Sequence, residues 1–557
     1  MGGAVTTSGS PIGPTNVFSK AYVRPLLYAA IAVWGALLYG YDGTYFASIL
    51  EMDKFKLDYG SLQSDGKINV SSSQKSILAS SVQIGEFFGS LSASFLGDYA
   101  GRRGGFFGAC FFVALGVIIQ VAPAGNVAAL GAGRAVLGMG VGIISNCTTL
   151  YLSEVSPTAI RGTIVSSWQL VLAIGQVVGA CVGQGTHTMT STWSYRIPIL
   201  VNLGLVAVIV GGMFIIPESP RWLVQKNRDD EAMAALRKIN ASQEDPELVA
   251  ATEMRSFVQA RDEEVAMKGQ SGWRSLLNGV ERRKLICVVG ILGSQQIGGV
   301  QFIFSYTTTF FADVGINDAF LVTIIVDVIE VFGVMCSFLL INRFGRRPLL
   351  IYTSIIQFIS LFVIGGLGTV ANRTETQNNT IAAMICIFVF FFNLAWGGLA
   401  WTIAAELCPG VNRQKIMSLG TALFWIIAFL VTFTLPYFYD GQEAGLGPQI
   451  GWIYGCGQLI ALAFVFFYTP ETIHRSLEEI SEMLDAKVPT RHWPSYTTRI
   501  EQGISSKGAG SDEELGDGSN KLERSSSDLR EDKGKKGSEG ADQVNANAGT
   551  AATTADA

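Results

Sequence analysis

Long apolar runs broken by short polar stretches fill the chain from about residue 25 to residue 469. A helix needs about 20 apolar residues to cross a bilayer, so the pattern predicts about twelve spanning segments. They lie near 25–50, 76–97, 105–123, 128–152, 163–185, 197–216, 284–312, 319–342, 349–370, 380–407, 416–438 and 451–469. One long polar connection, 217–283, separates the first six from the last six. Inside it, EAMAALRKINA and RSFVQARDEEVAMKG have the spacing of short amphipathic helices. Beyond about residue 500 the chain turns to Ser, Gly, Ala and mixed charge with hardly an aromatic, which cannot bury a core. The expected divisions are a disordered N-terminus over 1–24, a six-helix bundle over 25–216, the linker 217–283 and a second bundle over 284–469. A helical region over 470–499 and a disordered tail over 500–557 complete the chain.

Composition supports the same class. With 49% hydrophobic and 15% charged residues, 33 Phe and a mean hydropathy of +0.35, the chain is too apolar for a soluble protein of 557 residues. The net charge of -5 includes the polar tail and gives no support for a nucleic-acid partner. All eight cysteines fall in or beside apolar segments, which predicts buried thiols rather than a disulfide framework. The first twenty residues lack an apolar core, so no cleavable signal peptide is expected. Lys and Arg concentrate in the loops after even-numbered segments, which predicts that this side and both termini are cytoplasmic. The sequons at Asn69, Asn372 and Asn378 fall in predicted outer loops, whereas that at Asn240 falls on the other side.

The two halves repeat each other. GDYAGRR (97–103) answers to NRFGRR (342–347), EVSPTAIR (154–161) to ELCPGVNR (406–413), and PESPRWL (217–223) to PETIHRSLEEI (470–480). Parallel six-helix halves with a site between them are one architecture that transporters use for alternating access. With RAVLGMGVG (134–142), QQIGGVQ (295–301) and WGGLAWTIAAE (396–406), these motifs make the chain resemble the fungal-type sugar porters of the major facilitator superfamily. The resemblance covers roughly residues 22–483. It implies an all-α polytopic membrane protein whose twelve transmembrane helices form two pseudo-symmetric six-helix bundles around a central sugar site.

Charged residues at the membrane boundary come next. Asp98, Arg102, Arg103, Glu154, Arg161, Glu218 and Arg221 in the first half match Arg346, Arg347, Glu406, Arg413 and Glu471 in the second. Ion pairs at helix ends are partly desolvated yet breakable, as a cytoplasmic gate requires, and the resemblance implies that they latch the outward-facing state. Positive-inside anchoring is the plainer reading for some of the arginines.

Within the membrane, a carboxylate at Asp42 and a guanidinium at Arg134 are each expensive alone, and each most economically explains the other. Beside the guanidinium the carboxylate stays ionised; separated from it in a drier setting, it takes a proton. The resemblance implies that Asp42 is the proton-coupling carboxylate, with Arg134 tuning it. A purely structural ion pair is the alternative.

Candidate substrate contacts are polar residues inside apolar segments. Gln169 and Gln176 share one face of the fifth segment, and Gln295 and Gln296 open the seventh. Carboxamides donate and accept, as sugar hydroxyls do. Gln301 joins them if Gly298 and Gly299 break the helix. Trp401 and Trp425 offer flat faces for a pyranose ring, with helix packing as the alternative. The glycines 138, 140 and 142 suit close helix packing. Gln301, Ser305, Gly398 and Phe424 depart from the family pattern, and Glu330 stands where the family carries a sugar-contacting Asn. Asp327 lies one turn before it on the same face. Glu330 could bind hydroxyl pairs, hold a second proton, pair with a cation, or stand unpaired beside a cavity.

An enzyme is not expected, since the three histidines lie far apart and no metal or nucleotide motif occurs. A channel would need a filter or gating charges, and neither is present. The expectation is therefore proton-coupled uptake of a hexose or pentose at the plasma membrane by a monomer, with no cofactor and no metal. Alternatives are a facilitator, a carrier of a disaccharide, polyol or sugar acid, and a transporter-like sugar sensor.

Overall fold

A computed structural model describes residues 19–62, 68–122, 125–157, 160–243, 245–267, 273–316, 318–408, 412–440, 443–473, 475 and 477–498. Contacts gather the chain into one compact unit through Ser495. Of the disorder expected over 1–24 and 500–557, residues 1–18 and 500–557 lie outside the described residues, as do His474 and parts of the two repeated Pro-containing loops. Lys20–Tyr22 and the start of Val23–Ala32 are helical, because the helical turns of the first segment begin before its apolar run.

Eleven described helices are long and apolar enough to cross a membrane. In the N-terminal half they are Lys20–Glu51, Phe95–Val121, Val127–Val155, Thr163–Thr186 and Trp193–Met213. In the C-terminal half they are Gly279–Val314, Ala319–Ile341, Arg346–Gly368, Glu375–Glu406, Lys415–Tyr439 and Gly447–Tyr468. The expected second segment is the first part of one helical element, Ser72–Val121, that bends at Gly101 into the third. Ser, Gln and Glu in its first part dilute its hydropathy, and a Ser71/Gln74 capping box starts it.

The bend shows why the repeated motif has its residues. Gly101 stands at φ 81 and Gly345, its counterpart, at φ 89, a region that favours glycine. A Cβ there would come within 2.5 Å of Glu218 Oε2 and 2.7 Å of Glu471 Oε2, respectively. Glycine lets the backbone turn and lets a carboxylate approach, so one residue serves both needs in each half.

Other breaks lie near the middle of the fold. The seventh segment is Gly279–Ile297 and Val300–Val314, divided at Gly299 (φ 82) where Gly298 and Gly299 predict it. The tenth carries a π-turn over Phe392–Trp396 between Glu375–Phe391 and Gly397–Glu406, a feature frequent at functional sites. Gly138 and Gly142 of the fourth segment meet the backbone of the second at Val82 and Glu86, the close packing expected of that run.

The linker forms Asp229–Ile239 and Pro246–Met267, as its amphipathic spacing predicts. Trp222, Leu223, Val224, Ala232 and Ala235 make a small separate core, with Met254, Phe257 and Val258 packed on it. All eight cysteines are free thiols. Six are buried or half-buried, but Cys181 and Cys456 are exposed, against the expectation of burial: an apolar segment in a membrane need not bury every face against protein. Asn240 is fully buried and its amide donates to Glu253 at 2.9 Å, so this sequon cannot carry a glycan.

Candidate functional site

The face bearing the repeated charged motifs is organised twice in the same way. Arg102 donates through Nε and Nη2 to both oxygens of Glu154, at 2.9 and 2.8 Å. Backbone N–H groups of Arg102 and Arg103 donate to Glu218. In the second half Arg346 Nη2 lies 3.5 Å from Glu406, and the N–H groups of Arg346 and Arg347 donate to Glu471 at 3.0 and 2.9 Å. Each carboxylate therefore caps the helix that starts after the bend, where unpaired N–H groups favour negative charge. Arg161 donates to the Ser156 carbonyl rather than to Glu154. Asp98 is exposed, and its carbonyl accepts from the Trp222 indole at 3.1 Å. Burial, followed by the like charge of Arg221, lowers the pKa of Arg161. Arg413 is likewise lowered, first by burial. The Arg102–Glu154 and Arg346–Glu406 pairs each run within one bundle.

At the opposite face the bundles are joined directly. Asp440 at the end of the eleventh segment accepts from Ser72 Oγ at 2.8 Å and pairs with Lys75 Nζ at 3.3 Å. Ser76 donates to the Phe433 carbonyl at 2.7 Å, and Gln83 donates to Thr432 Oγ1 at 2.8 Å. Tyr306 of the seventh segment reaches the carbonyls of Lys75 and Thr432, at 3.4 Å each. These bonds seal one end of the seam.

In the middle, amides from both halves converge on the seam. With its nitrogen turned to the eighth segment, Gln176 of the fifth donates to both oxygens of Glu330, 2.8 Å each. Glu330 and Asp327 are 1% and 2% exposed, and Asp327 Oδ2 has no partner. Beyond the break at Gly299, Gln301 donates to Gln296 Oε1 at 3.1 Å. Gln295 donates to the Trp396 carbonyl at 2.9 Å, while its own Oε1 is unpartnered. Gln169 from the other bundle approaches the same turn: a Cβ on Gly397 would stand 3.5 Å from Gln169 Nε2 and 2.9 Å from Asn393 Oδ1. Asn393 Oδ1 is itself buried and unpartnered. Trp401 and Trp425 sandwich Phe424, with ring centroids 5.2 and 5.1 Å apart. Trp396 is the fully buried tryptophan of this segment, and its indole donates to Ser354 at 2.9 Å. Asn393 was legible by the rule that picked out the glutamines, as an amide inside an apolar segment, whereas the π-turn that presents it leaves no mark on composition.

Asp42 and Arg134 are both buried in the N-terminal bundle, but no contact within 4 Å pairs them. Arg134 Nε donates to the Leu78 carbonyl at 2.8 Å, and its guanidinium lies 3.7 Å from the Phe46 ring centroid. Arg134 Nη1 reaches the Tyr45 hydroxyl at 3.5 Å, and that hydroxyl faces the Asp42 carboxyl. Tyr45 thus stands between the two groups that were expected to touch. Asp42 Oδ1 has no hydrogen-bond partner. Glu86 of the second segment is a further buried carboxyl close enough to feel both Asp42 and Arg134. It was legible by the rule that singles out Asp42, as a carboxylate inside an apolar run, and went unnoticed.

Polar side chains buried between two repeated bundles define a membrane carrier for a small polar solute. The family described as sugar (and other) transporters matches residues 28–484, and the chain belongs to it. It is 33% identical over 485 residues to the major facilitator-type transporter ecdD of Aspergillus rugulosus, covering 84% of this chain and 89% of that protein. It is 32% identical to the probable glucose transporter rco-3 of Neurospora crassa, covering 85% and 81%. Identity to the high glucose sensor RGT2 of Saccharomyces cerevisiae is also 32%, over 83% of this chain and 61% of the sensor. The proton:xylose symporter XylE bound to 6-bromo-6-deoxy-D-glucose shares the fold, with a TM-score of 0.68, 23% identity and coverage of 83% and 100%.

Proposed function

We propose that the protein takes up a monosaccharide, a hexose or pentose, together with a proton across the plasma membrane by alternating access. The observation that carries the coupling is Asp42, buried in the first segment with one oxygen unpartnered and Tyr45 between it and Arg134. A buried carboxylate without a direct cation is stable in the membrane when it holds a proton. It loses that proton when the bundle rearranges and Arg134 moves onto it.

The seam supplies the sugar site. Gln169 and Gln176 from one bundle and Gln295, Gln296 and Gln301 from the other offer donors and acceptors to ring hydroxyls. Trp401 and Trp425 supply apolar faces at its edge. Glucose in the Neurospora relative's name and xylose in the structural neighbour's support a monosaccharide. The excess of Lys and Arg supports a cytoplasmic position for the motif face, and both termini with it. On that orientation the bonds around Asp440 close the outer face, and the motif pairs rearrange when the carrier turns outward. A single chain holds the whole path, and the proton is the only coupling species required.

Uptake of labelled glucose, xylose and fructose in a transporter-null yeast, at acidic and neutral pH with and without an uncoupler, tests the reading. Accumulation above equilibrium at acidic pH that collapses with the uncoupler is expected; simple equilibration at every pH contradicts coupling. A second reading, a sugar sensor on the same fold, is supported by the Saccharomyces relative, and an absence of movement of every sugar favours it.

A further inference from the structure

The eighth segment holds two carboxylates one turn apart, Asp327 and Glu330, sealed from solvent. Among the described residues, neither has an ion-pair partner. The charge acting on Glu330 is that of Asp327, a like charge. The groups facing this stretch from the elements packed on it are Gln176 and Cys181 of the fifth segment and Asn393 of the tenth. Thr308 of the seventh meets Thr323, a turn earlier, at 3.1 Å. None of these carries a charge at neutral pH. Two adjacent carboxylates in a dry interior cannot both ionise without a cation, so the pair retains a proton.

A second observation, from the other bundle, bears on which group holds it. Turned one way, the Gln176 nitrogen donates to both Glu330 oxygens at 2.8 Å, as an ionised carboxylate requires. Turned the other way, its carbonyl oxygen takes that place and accepts from a protonated carboxyl. An amide is the side chain that serves both states by a half-turn. Asn393 Oδ1, buried and unpartnered on the tenth segment, is a further acceptor awaiting a donor in the seam.

We propose that Glu330 is a second proton-binding carboxylate of the transport cycle, carried by the C-terminal bundle and contacted by Gln176 of the N-terminal one. The inference rests on the proton-coupled reading above. The step is a proton transfer alone. Water at the open face gives a proton to a Glu330 oxygen and Gln176 turns its oxygen to accept. On the other face the proton returns to water and the amide turns back. Because Gln176 and Glu330 belong to different bundles, the contact forms only when the seam is closed at this level, which links the proton to the movement.

The test is the number of protons moved per sugar, measured from the reversal of flux under opposed pH and sugar gradients in proteoliposomes. Wild type is expected to move two and Glu330→Gln one. A wild-type ratio of one, or a ratio in Glu330→Gln equal to that of wild type, overturns the inference while proton coupling stands. A ratio of zero in wild type overturns coupling as well. Where Glu330→Gln does not transport, infrared spectra of the purified proteins at neutral pH decide. A protonated-carboxyl component present in wild type and missing from Glu330→Gln, with that of Asp42 retained, supports the assignment; an unchanged band overturns it.

Discussion

Lys75 Nζ lies 3.3 Å from Asp440 Oδ1, joining the start of the second segment to the end of the eleventh and so one bundle to the other. Both side chains are largely buried, and Asp440 also accepts from Ser72. Asp440→Asn keeps the hydrogen bond but removes the charge pair, at about 1 kcal/mol, which shifts the balance of conformations about fivefold towards the outward-open state. A cysteine placed at Gln83, in a background without native cysteines, should then react faster with an impermeant maleimide. An unchanged labelling rate would mean that the pair does not hold the seal.

Gly101 and Gly345 should be the least replaceable glycines of the motif face. Alanine at either position meets a positive φ and a carboxylate at 2.5 or 2.7 Å, and costs about 1–3 kcal/mol. Gly204, in the helix Trp193–Met213, has nothing within 4 Å of an added Cβ, and its replacement should be neutral or slightly stabilising. Thermal unfolding midpoints in detergent distinguish the three variants. Equal shifts would contradict the account of the bend.

Glu218 gives a pH dependence with a definite sign. Burial raises its pKa, against the pull of N–H donors from Ser219, Arg102 and Arg103. The folded state therefore binds more protons than the unfolded one between the ordinary glutamate value and the raised one. Stability from this group is greatest below that interval and falls as pH rises through it. Glu218→Gln should flatten this part of the stability curve in the mildly acidic range, read as the difference in unfolding midpoint between two such pH values. Glu218→Ala, which strips three N–H groups of their acceptor, should cost about 1–3 kcal/mol at any pH.

Much of this was visible along the chain. Twelve apolar runs, the central linker and the repeated motifs follow from hydropathy and spacing, and the break at Gly298 and Gly299 follows from backbone freedom. The amides Gln169, Gln176, Gln295 and Gln301 stood out because apolar segments rarely carry them. What was hidden depended on rotation about helix axes. Tyr45 between Asp42 and Arg134 cannot be read from positions that merely share a bundle. The π-turn that presents Asn393 and buries Trp396 is an inserted residue's worth of backbone, and nothing in the side chains announces it. The seal around Lys75 and Asp440 joins residues far apart in the chain through ordinary polar types at helix ends.

Tyr45→Phe separates the two views of the buried charges. If the hydroxyl relays between Asp42 and Arg134, its removal should shift the pH at which uptake is half-maximal while leaving sugar affinity within about twofold, since an order-of-magnitude change needs about 1.4 kcal/mol. A change in affinity with an unmoved pH profile would make Tyr45 a packing residue.

The most direct measurement compares Asp42→Asn with wild type in proteoliposomes, following concentrative uptake driven by a pH gradient and exchange of labelled for unlabelled sugar at equal pH. The account predicts that the variant exchanges sugar but no longer accumulates it. Accumulation in Asp42→Asn at the wild-type level would contradict the assignment of Asp42 as the proton site.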